Sequence, residues 1–316
     1  MKYLITLIIP TFNRPNDLQK CLISVVNSTR KPDEVIIVDD AGRYDLTDIV
    51  KEILEDKIEY KIIINAKNVG HSTSRNIGIK NSKGDLIFFL DDDCEVLPDY
   101  FLEIEKIYLN DDEGKIGGVE GIILDDNNNS NNKKNQFFEK FFMLTHYSDK
   151  SDMQLSGFET RSIIYDKIIR VNILMGAASF RKSIYNEFQY NNDFPGWSWD
   201  DMEFSYRVSK KYELVRTPFA KMYHHHTSVS RESQFQRQSK MIWMHFITWN
   251  TCIKTKFLSI AAFIWSDIGY SIKTIWDYNF KFQVILGLFS GHIDLLKIMI
   301  KKLLKLTKIK NENNNS

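Results

Sequence analysis

The chain has 316 residues, 43% of them hydrophobic and 26% charged, with a formal net charge of +1. This is the composition of an ordinary globular protein that can bury a sizeable core in one large domain with an appendage, or in two domains. Three widely spaced cysteines exclude a disulfide framework and predict a reducing compartment. Residues 1–4 lead directly into a strand-like segment without the features of a signal peptide, so we expect a cytoplasmic protein.

Strand-like and helix-like segments alternate along the first 95 residues. Apolar, β-branched runs predict strands, and apolar residues that recur every three or four positions predict helices. The predicted strands are 4–9, 35–38, 60–64 and 85–90, and the predicted helices are one that starts at Pro15–Asn16, one near 46–56 and one near 72–81. The alternation predicts an α/β fold with a Rossmann-like, mainly parallel sheet flanked by helices.

Polar residues follow three of these strands directly. Thr11 follows the first strand after Pro10, Asp39 and Asp40 follow the second, and Asp91–Asp93 follow the strand that ends at residue 90. Ligands of parallel sheets lie at the carboxyl ends of the strands. We therefore expect these residues to converge on one crevice.

The three consecutive aspartates predict a cation site. A turn directly after a strand can aim Asp91 and Asp93 at the same point, and hard cations such as Mg²⁺ or Mn²⁺ prefer carboxylate oxygens and share them with phosphates. The alternative is a solvated acidic turn or a helix cap, because Pro98 and Asp99 open a helix soon after. Asp40 in the same crevice favours the cation.

The order of the motifs resembles that of a family 2 glycosyltransferase of the GT-A fold. The resemblance covers roughly residues 3–230. The matching stretches are "TLIIPTFNRPNDLQKCLISVVNST" (6–29), "PDEVIIVDDAG" (32–42), "NVGHSTSRNIGIKNSKGDLIFFLDDD" (68–93), "GAASFRKSIY" (176–185) and "WDDMEFSYR" (199–207). The resemblance implies a GT-A domain over residues 1–230, with a nucleotide-binding half (1–95) and an acceptor half (96–230).

The resemblance implies a role for each residue on the donor side. Pro10 and Thr11 would flank the nucleobase of a sugar nucleotide, Asp40 would accept a hydrogen bond from the base, and Arg75 would lie near the base or the diphosphate. Asp91, the first residue of the DXD motif, would contact the ribose. Without the resemblance, Arg75 is interpreted as a surface charge on a helix.

The resemblance also implies the metal ligands. Asp93, the last residue of the DXD motif, would bind Mn²⁺ or Mg²⁺, and one of the three consecutive histidines, His224, would bind the metal or the leaving diphosphate. Three histidines in a row point in different directions, so at most one or two of them can do so. A surface loop without function is the alternative interpretation of the three histidines.

The acceptor side is predicted in "GWSWDDMEFSYR" (196–207). The resemblance implies that Asp201 occupies the place of the catalytic base and Asp200 the acidic place before it. Trp197 and Trp199 could form an apolar wall for an acceptor sugar. Alternatively, Asp200 caps the predicted helix 200–210 and Asp201 interacts with its dipole, which would keep Asp201 ionised. Gln238 stands where processive members carry a tryptophan after Gln-x-x-Arg, which favours transfer of one sugar.

The sequence after residue 230 differs in character. It carries 13 Lys and Arg against 5 Asp and Glu, and it predicts a helical, membrane-associated extension over 231–310 with a disordered tail over 311–316. The most apolar part, 257–272, is interrupted by Asp267 and is shorter than the roughly 20 residues of a spanning helix. We expect a peripheral position on the anionic inner face of the plasma membrane. The polar stretch 125–135 predicts a mobile loop.

The sequence therefore predicts an inverting, metal-dependent hexosyltransferase of polysaccharide biosynthesis. It would move one sugar from a nucleoside diphosphate donor to a hydroxyl of a saccharide or lipid-linked acceptor, with no nucleic acid partner. A sugar nucleotidyltransferase is an alternative, but "PTFNRPNDL" (10–18) lacks the glycine-rich loop that holds a triphosphate. A catalytically inactive nucleotide-sugar-binding protein and a glycoside hydrolase are further alternatives.

Overall fold

The first half of the chain forms parallel strands connected by helices. The computed structural model describes residues 2–124, 133–162, 166–194, 199–227, 229, 232–254 and 257–314. The strands are β1 (Ile5–Thr11), β2 (Glu34–Asp39), β3 (Glu59–Ile64) and β4 (Leu86–Phe89), and the helices are α1 (Pro15–Val26), α2 (Thr47–Leu54) and α3 (His71–Asn81). β1 pairs in parallel with β2 and with β4, and β2 pairs in parallel with β3. The predicted elements are all present within about two residues of their expected bounds.

Strand β1 continues through Pro10, where the sequence predicts its end. The carbonyl of Ile8 accepts a hydrogen bond from Leu90 at the end of the β4 ladder, and Pro10, two residues on, faces the same side. Because β4 has already ended there, the missing N–H of proline removes no ladder hydrogen bond. The extra residues carry Thr11 to the edge of the crevice.

The second half completes the sheet. Its strands are β5 (Cys94–Val96), β6 (Ile116–Ile123), β7 (His146–Ser148), β8 (Asp152–Met153), β9 (Glu159–Ser162), β10 (Ile169–Val171), β11 (Ala178–Arg181) and β12 (Glu213–His224), and its helices are α4 (Tyr100–Leu109), α5 (Lys133–Phe141) and α6 (Asp200–Val208). Within the described ranges, nine strands form one sheet in the order β10-β12-β6-β11-β4-β1-β2-β3, with β5 paired to β12. β11 runs antiparallel between β4 and β6. The predicted mainly parallel α/β fold is confirmed.

One predicted pair of strands is a single strand. The sequence predicts strands at 214–217 and 220–223 separated by Pro218, but both lie in β12. The register with β6 shifts between Arg216 and Lys221, which accommodates the proline as an irregularity of the ladder. Continuity of β12 brings its last residue, His224, to the strand end near β5.

The core lies on both faces of the sheet. Alternate residues of β1 and β4 enter different apolar layers: Leu7 and Phe88 enter one layer with helix α4, and Ile8 and Phe89 enter the other with Phe204 of α6. Parallel strands covered on both faces are continuously apolar, as these runs are. The sheet therefore fixes the positions of the residues that follow its strands.

The last part of the chain consists of helices α7 (Gln234–Cys252), α8 (Phe257–Asp277) and α9 (Phe282–Asn314). Met244 and Ile247 of α7 pack with Phe194, which precedes α6 in the chain, so α7 is packed against the first part of the chain. Within the described part of the chain, none of the helices is both long and apolar enough to cross a membrane. Residues 311–314 of the predicted disordered tail belong to α9, and most of the predicted loop 125–135 lies outside the described residues.

Candidate active site

The three aspartates after β4 point in two directions. Cys94 N–H donates to the carbonyl of Asp91 in a tight turn, so the side chains of Asp91 and Asp93 lie on the same side. Asp92 points away from them: Thr11 Oγ1 donates to its Oδ2 (2.8 Å) and Arg14 Nη1 to its Oδ1 (3.0 Å). The Thr11 hydroxyl therefore orients the acidic turn, a contact that sequence reasoning missed.

His224 faces the two aspartates on the same side. It ends β12 directly opposite Cys94 of β5, and its Nε2 lies 3.0 Å from Asp93 Oδ1 and 3.9 Å from Asp91 Oδ2. His225 pairs with Glu95 instead, at 2.9 Å. The ring of His224 thus contacts the carboxylates of Asp91 and Asp93, and the ring of His226 packs against it.

This group of side chains fits a divalent cation. One ligand atom each of Asp91, Asp93, Cys94 and His224 lies within 4.8 Å of the others. Asp91 Oδ1 and Asp93 Oδ1 are buried, and no group among the described residues donates a hydrogen bond of normal geometry to either oxygen. His71 Nε2 and His224 Nε2 approach these two oxygens to 3.3 Å and 3.0 Å, respectively. Two buried carboxylates side by side are costly unless positive charge lies next to them, and a divalent cation would supply it. Cys94 was not predicted from the sequence as part of this group.

Both carboxylates are held in the ionised form. Burial opposes the ionisation of Asp91, but His71, Arg75 and His224 hold its pKa well below the usual range. Burial also opposes that of Asp93, but His224 outweighs it and lowers the pKa of Asp93. Ionised carboxylates are the form in which a cation is bound.

Arg75 is buried rather than exposed on the surface of α3. Its Nη1 lies 3.3 Å from Asp200 Oδ2, its Nη2 donates to the carbonyl of Gly176 (3.1 Å), and it lies 3.7 Å from Asp91 Oδ1. Its guanidinium also lies over the rings of Phe89 and Tyr190. Arg75 therefore connects the acidic turn after β4 with the start of α6.

His71, at the start of α3, makes the same connection. Its Nε2 lies 3.3 Å from Asp91 Oδ1 and its Nδ1 lies 3.6 Å from Asp200 Oδ2. Burial and the charge of Arg75 disfavour protonation, but Asp200 and Asp91 outweigh them and raise the pKa of His71 to about 9. His71 was not predicted as a site residue, although it stands within "NVGHSTSRNIG" (68–78), four residues before Arg75.

Asp200 is an ion-pair partner and not a helix cap. It is the first residue of α6, the N-cap position belongs to Trp199, and the side chain of Asp200 is buried against Arg75, His71 and Ser72. Burial opposes its ionisation, but Arg75 and His71 lower its pKa below the usual range. The capping interpretation is wrong because the side chain turns away from its own helix toward α3.

Asp201 lies beside the cation group but is less constrained. It is partly exposed, and its Oδ1 accepts a hydrogen bond from the N–H of Met202 (2.8 Å). Desolvation and the charge of Asp200 raise its pKa above the usual value. The helix N-terminus was expected to favour the ionised form, but these two nearer effects are larger. Asp201 is therefore the carboxylate of the pair with the higher proton affinity.

Gly176 leaves space between the two acidic groups. A Cβ built on Gly176 would lie 3.1 Å from Arg75 Nη2, 3.5 Å from Asp201 Oδ2 and 3.6 Å from Asp91 Oδ2. All three polar atoms thus border one small volume. The volume is where a reacting group could approach Asp201 and the acidic turn together.

Of the two tryptophans predicted on the acceptor side, the structure describes Trp199. Trp199 lies in the left-handed region with φ of 72°, which is strained for a large side chain, and its ring packs against Phe158 and His245. It thereby connects the start of α6 with α7. Trp197 lies outside the described residues.

Asp40 fixes the loop that precedes α3. Its carboxylate accepts hydrogen bonds from the N–H groups of Val69 (2.8 Å) and Gly70 (2.9 Å) and from Asn65 Nδ2 (2.9 Å). Gly70 has φ of 87°, a conformation that favours glycine. Asp40 and Pro10 therefore lie at the expected strand ends, and Asp40 positions the helix that carries His71 and Arg75.

The chain is similar to known glycosyltransferases. Glycosyltransferase GlyA of Streptococcus pneumoniae is 35% identical over 105 residues, which are 33% of this chain but only 14% of that protein. The GalNAc(5)-diNAcBac-PP-undecaprenol beta-1,3-glucosyltransferase of Campylobacter jejuni is 35% identical over 95 residues, 29% of this chain and 30% of the relative. The chain thus spans less than a third of the length of these curated relatives.

The fold is also found among solved structures. The mannosyltransferase PcManGT from Pyrobaculum calidifontis, in complex with GDP-Man and Mn²⁺, matches 94% of this chain and 88% of its own, with a TM-score of 0.56 and 11% identity. At that identity the similarity shows the GT-A fold alone. The model of the family described as "Glycosyl transferase family 2" matches residues 6–187, more than half of the chain. The protein is therefore a member of glycosyl transferase family 2.

Proposed function

We propose that this glycosyltransferase moves one sugar from a nucleoside diphosphate sugar to a hydroxyl of a saccharide or lipid-linked acceptor, with inversion at the anomeric carbon. The observation that supports the proposal is the group of ligand atoms of Asp91, Asp93, Cys94 and His224 within 4.8 Å of one another, in which the oxygens Asp91 Oδ1 and Asp93 Oδ1 are buried. The Pyrobaculum mannosyltransferase, which shares the fold, was solved with GDP-Man and Mn²⁺. That complex supports a nucleotide-sugar donor and a divalent metal.

Asp91, Asp93 and His224 would hold Mn²⁺ or Mg²⁺. A divalent cation at this position supplies positive charge that stabilises the negative charge of the leaving diphosphate. The carboxylates are ionised before any ligand binds, which supports this assignment. Pro10, Thr11 and Asp40 would form the nucleotide side of the crevice, Thr11 by orienting the acidic turn and Asp40 by orienting α3.

Arg75 and His71 would hold the donor side and the acceptor side of the site at a fixed position relative to each other. Each contacts both Asp91 and Asp200, so the acidic turn and the start of α6 cannot separate without breaking buried ion pairs. Reacting groups need positioning to well within 1 Å, and a rigid connection of this kind provides it. We assign Arg75 and His71 as positioning residues.

Asp201 would act as the general base. In a single displacement the acceptor oxygen forms a bond to the anomeric carbon while the bond from that carbon to the diphosphate oxygen breaks, and the hydroxyl proton passes to the Asp201 carboxylate. A raised pKa increases the proton affinity of Asp201 and suits a base that works near neutral pH. Its position across Gly176 from Asp91 supports this role.

We also propose that the enzyme works at the cytoplasmic face of the plasma membrane. The Campylobacter relative is named for an undecaprenol-linked acceptor, which supports a lipid-linked acceptor here. The excess of positive charge after residue 230 suits an anionic surface. Trp199, together with Trp197, would border the acceptor.

The test is a turnover assay with a panel of sugar nucleotides and Mn²⁺, with Asp93→Asn as the control variant. Release of nucleoside diphosphate by the wild type and not by Asp93→Asn supports the proposal. Release of inorganic pyrophosphate would instead identify a sugar nucleotidyltransferase. Tight nucleotide-sugar binding without product, in the presence of extracts that contain candidate acceptors, would identify an inactive binding protein.

A further inference from the structure

Helix α9 exposes an apolar face. Six of its large apolar side chains are between 37% and 71% exposed: Phe282, Ile285, Leu286, Phe289, Leu296 and Ile300. Counted from Phe282, the other five lie 3, 4, 7, 14 and 18 residues further along, positions that fall on one side of a helix. Val284 and Leu288, on the opposite side, are buried against α7. The exposed face is therefore a continuous stripe and not a set of isolated residues.

Helices α8 and α5 also expose large apolar side chains. The ends of α8 carry Phe257 and Trp276, which are 87% and 72% exposed. In the middle of α8, Trp265 donates a hydrogen bond to the carbonyl of Phe141 in α5 (2.8 Å) and packs against its ring. Phe141 and Phe137 of α5 are themselves exposed. The three helices thus present many large apolar side chains to solvent, and exposed apolar surface on this scale is typical of a binding surface.

We propose that the exposed face of α5, α8 and α9 lies in the interfacial layer of an anionic phospholipid bilayer; this rests on the proposed function, which places the acceptor at a membrane. Residues 231–316 carry 13 Lys and Arg against 5 Asp and Glu. Amphipathic helices with aromatic residues on one face and lysines beside it bind anionic interfaces. A second copy of the chain is disfavoured as the occupant, because two such faces would bring like charges together.

Vesicle flotation of the full chain tests the proposal. The probes are vesicles of phosphatidylglycerol with phosphatidylcholine, and vesicles of phosphatidylcholine alone. The wild type is expected to float with the anionic vesicles and much less with the neutral ones. Replacing two exposed aromatics of α9 by Phe282→Glu and Phe289→Glu together should lower partition about tenfold or more. Ile23→Glu, at an exposed apolar position of α1, is the matched control and should float like the wild type.

If circular dichroism shows that the double variant of α9 is poorly folded, the double variant Phe257→Glu, Trp276→Glu on α8 repeats the test. Equal flotation of wild type and both pairs, or no flotation of the wild type, overturns the proposal. Sedimentation without lipid tests whether a second copy of the chain covers the face instead. If the wild type is a dimer and both double variants are monomers, the face is a self-association surface and the membrane proposal is wrong. Donor binding with Mn²⁺ should be the same in all variants. If flotation contradicts the membrane proposal, the proposed transfer reaction is therefore still supported by donor binding. If donor binding fails, flotation still tests the membrane proposal.

Discussion

The buried ion pair between Arg75 and Asp200 gives a prediction that separates two adjacent aspartates. Both side chains are only 1% exposed, and Arg75 Nη1 lies 3.3 Å from Asp200 Oδ2. Asp200→Asn keeps the shape of the side chain but removes its charge. The guanidinium is then left with Asp91 at 3.7 Å and the carbonyl of Gly176, and His71 loses one of its two carboxylates.

The magnitude follows from the burial of the pair. Removing one partner of a buried ion pair costs about 3–5 kcal/mol, and the remaining contacts of Arg75 favour the lower end, about 3 kcal/mol. The pKa of Asp200 is lowered in the folded state, so its contribution is fully present at neutral pH and is lost as pH falls through the folded-state pKa. The pKa of Asp201 is raised, so its ionised form costs stability as pH rises above the unfolded-state value. Asp201→Asn should therefore leave the stability at pH 7 unchanged or slightly increased.

Urea unfolding followed by tryptophan fluorescence measures both variants. At pH 7, Asp200→Asn should lose about 3 kcal/mol in free energy of unfolding, whereas Asp201→Asn should stay within about 1 kcal/mol of the wild type or above it. The two substitutions are identical in chemistry and adjacent in sequence, so each controls for the other. A wild-type stability for Asp200→Asn, or a larger loss for Asp201→Asn, would refute the assignment of Asp200 as the structural partner of Arg75.

Three further results are expected. Asp201→Asn should lower turnover about 10²–10⁴-fold with donor affinity within a few-fold of the wild type, because the amide cannot accept the proton; undiminished turnover would place the base elsewhere. Gly176→Ala should lower turnover by less than about 10²-fold with little change in stability, because its Cβ would lie 3.1 Å from Arg75 Nη2 beside Asp201 and displace that group by much less than the roughly 1 Å that costs 10²-fold; steady-state kinetics that match the wild type would contradict this. The pKa of His292 is raised by Asp267, which it contacts at 2.6 Å, so the wild type should lose stability as pH rises through that pKa. The loss should stay below about 1 kcal/mol, because solvent screens this partly exposed pair; His292→Gln should not show it in urea unfolding at pH 6 and pH 9.

The parallel half of the fold could be predicted because its signals are local. Continuous apolar runs such as that of β4 identify strands covered on both faces, and the apolar period from Leu18 to Val25 identifies one face of α1. The rule that ligands lie at strand ends then brings Asp91 and Asp93 to one edge without any knowledge of side-chain contacts. The convergence of His224 on them required the resemblance, because 131 residues separate it from Asp93.

Contacts between distant segments could not be predicted from local patterns. The pairing of Arg75 with Asp200 joins residues 125 apart, and a charged residue on a helix is exposed far more often than buried. The capping interpretation of Asp200 failed for the same reason, since a helix start is a local signal and the partner on α3 is not. The packing of α7 against Phe194 was also missed, because its apolar residues have no marker that separates a protein surface from a lipid surface.

The most direct test of the central claim is nucleotide affinity measured by calorimetry for the wild type and Asp93→Asn, in Mn²⁺ and in EDTA. The claim is that Asp91 and Asp93 hold a divalent cation that binds a nucleoside diphosphate. The wild type should bind one nucleoside diphosphate at least about tenfold more tightly in Mn²⁺ than in EDTA, since cations at such sites share phosphate oxygens. Asp93→Asn should lose most of that difference and match the wild type in EDTA. Equal affinity of wild type and Asp93→Asn in Mn²⁺ would contradict the claim.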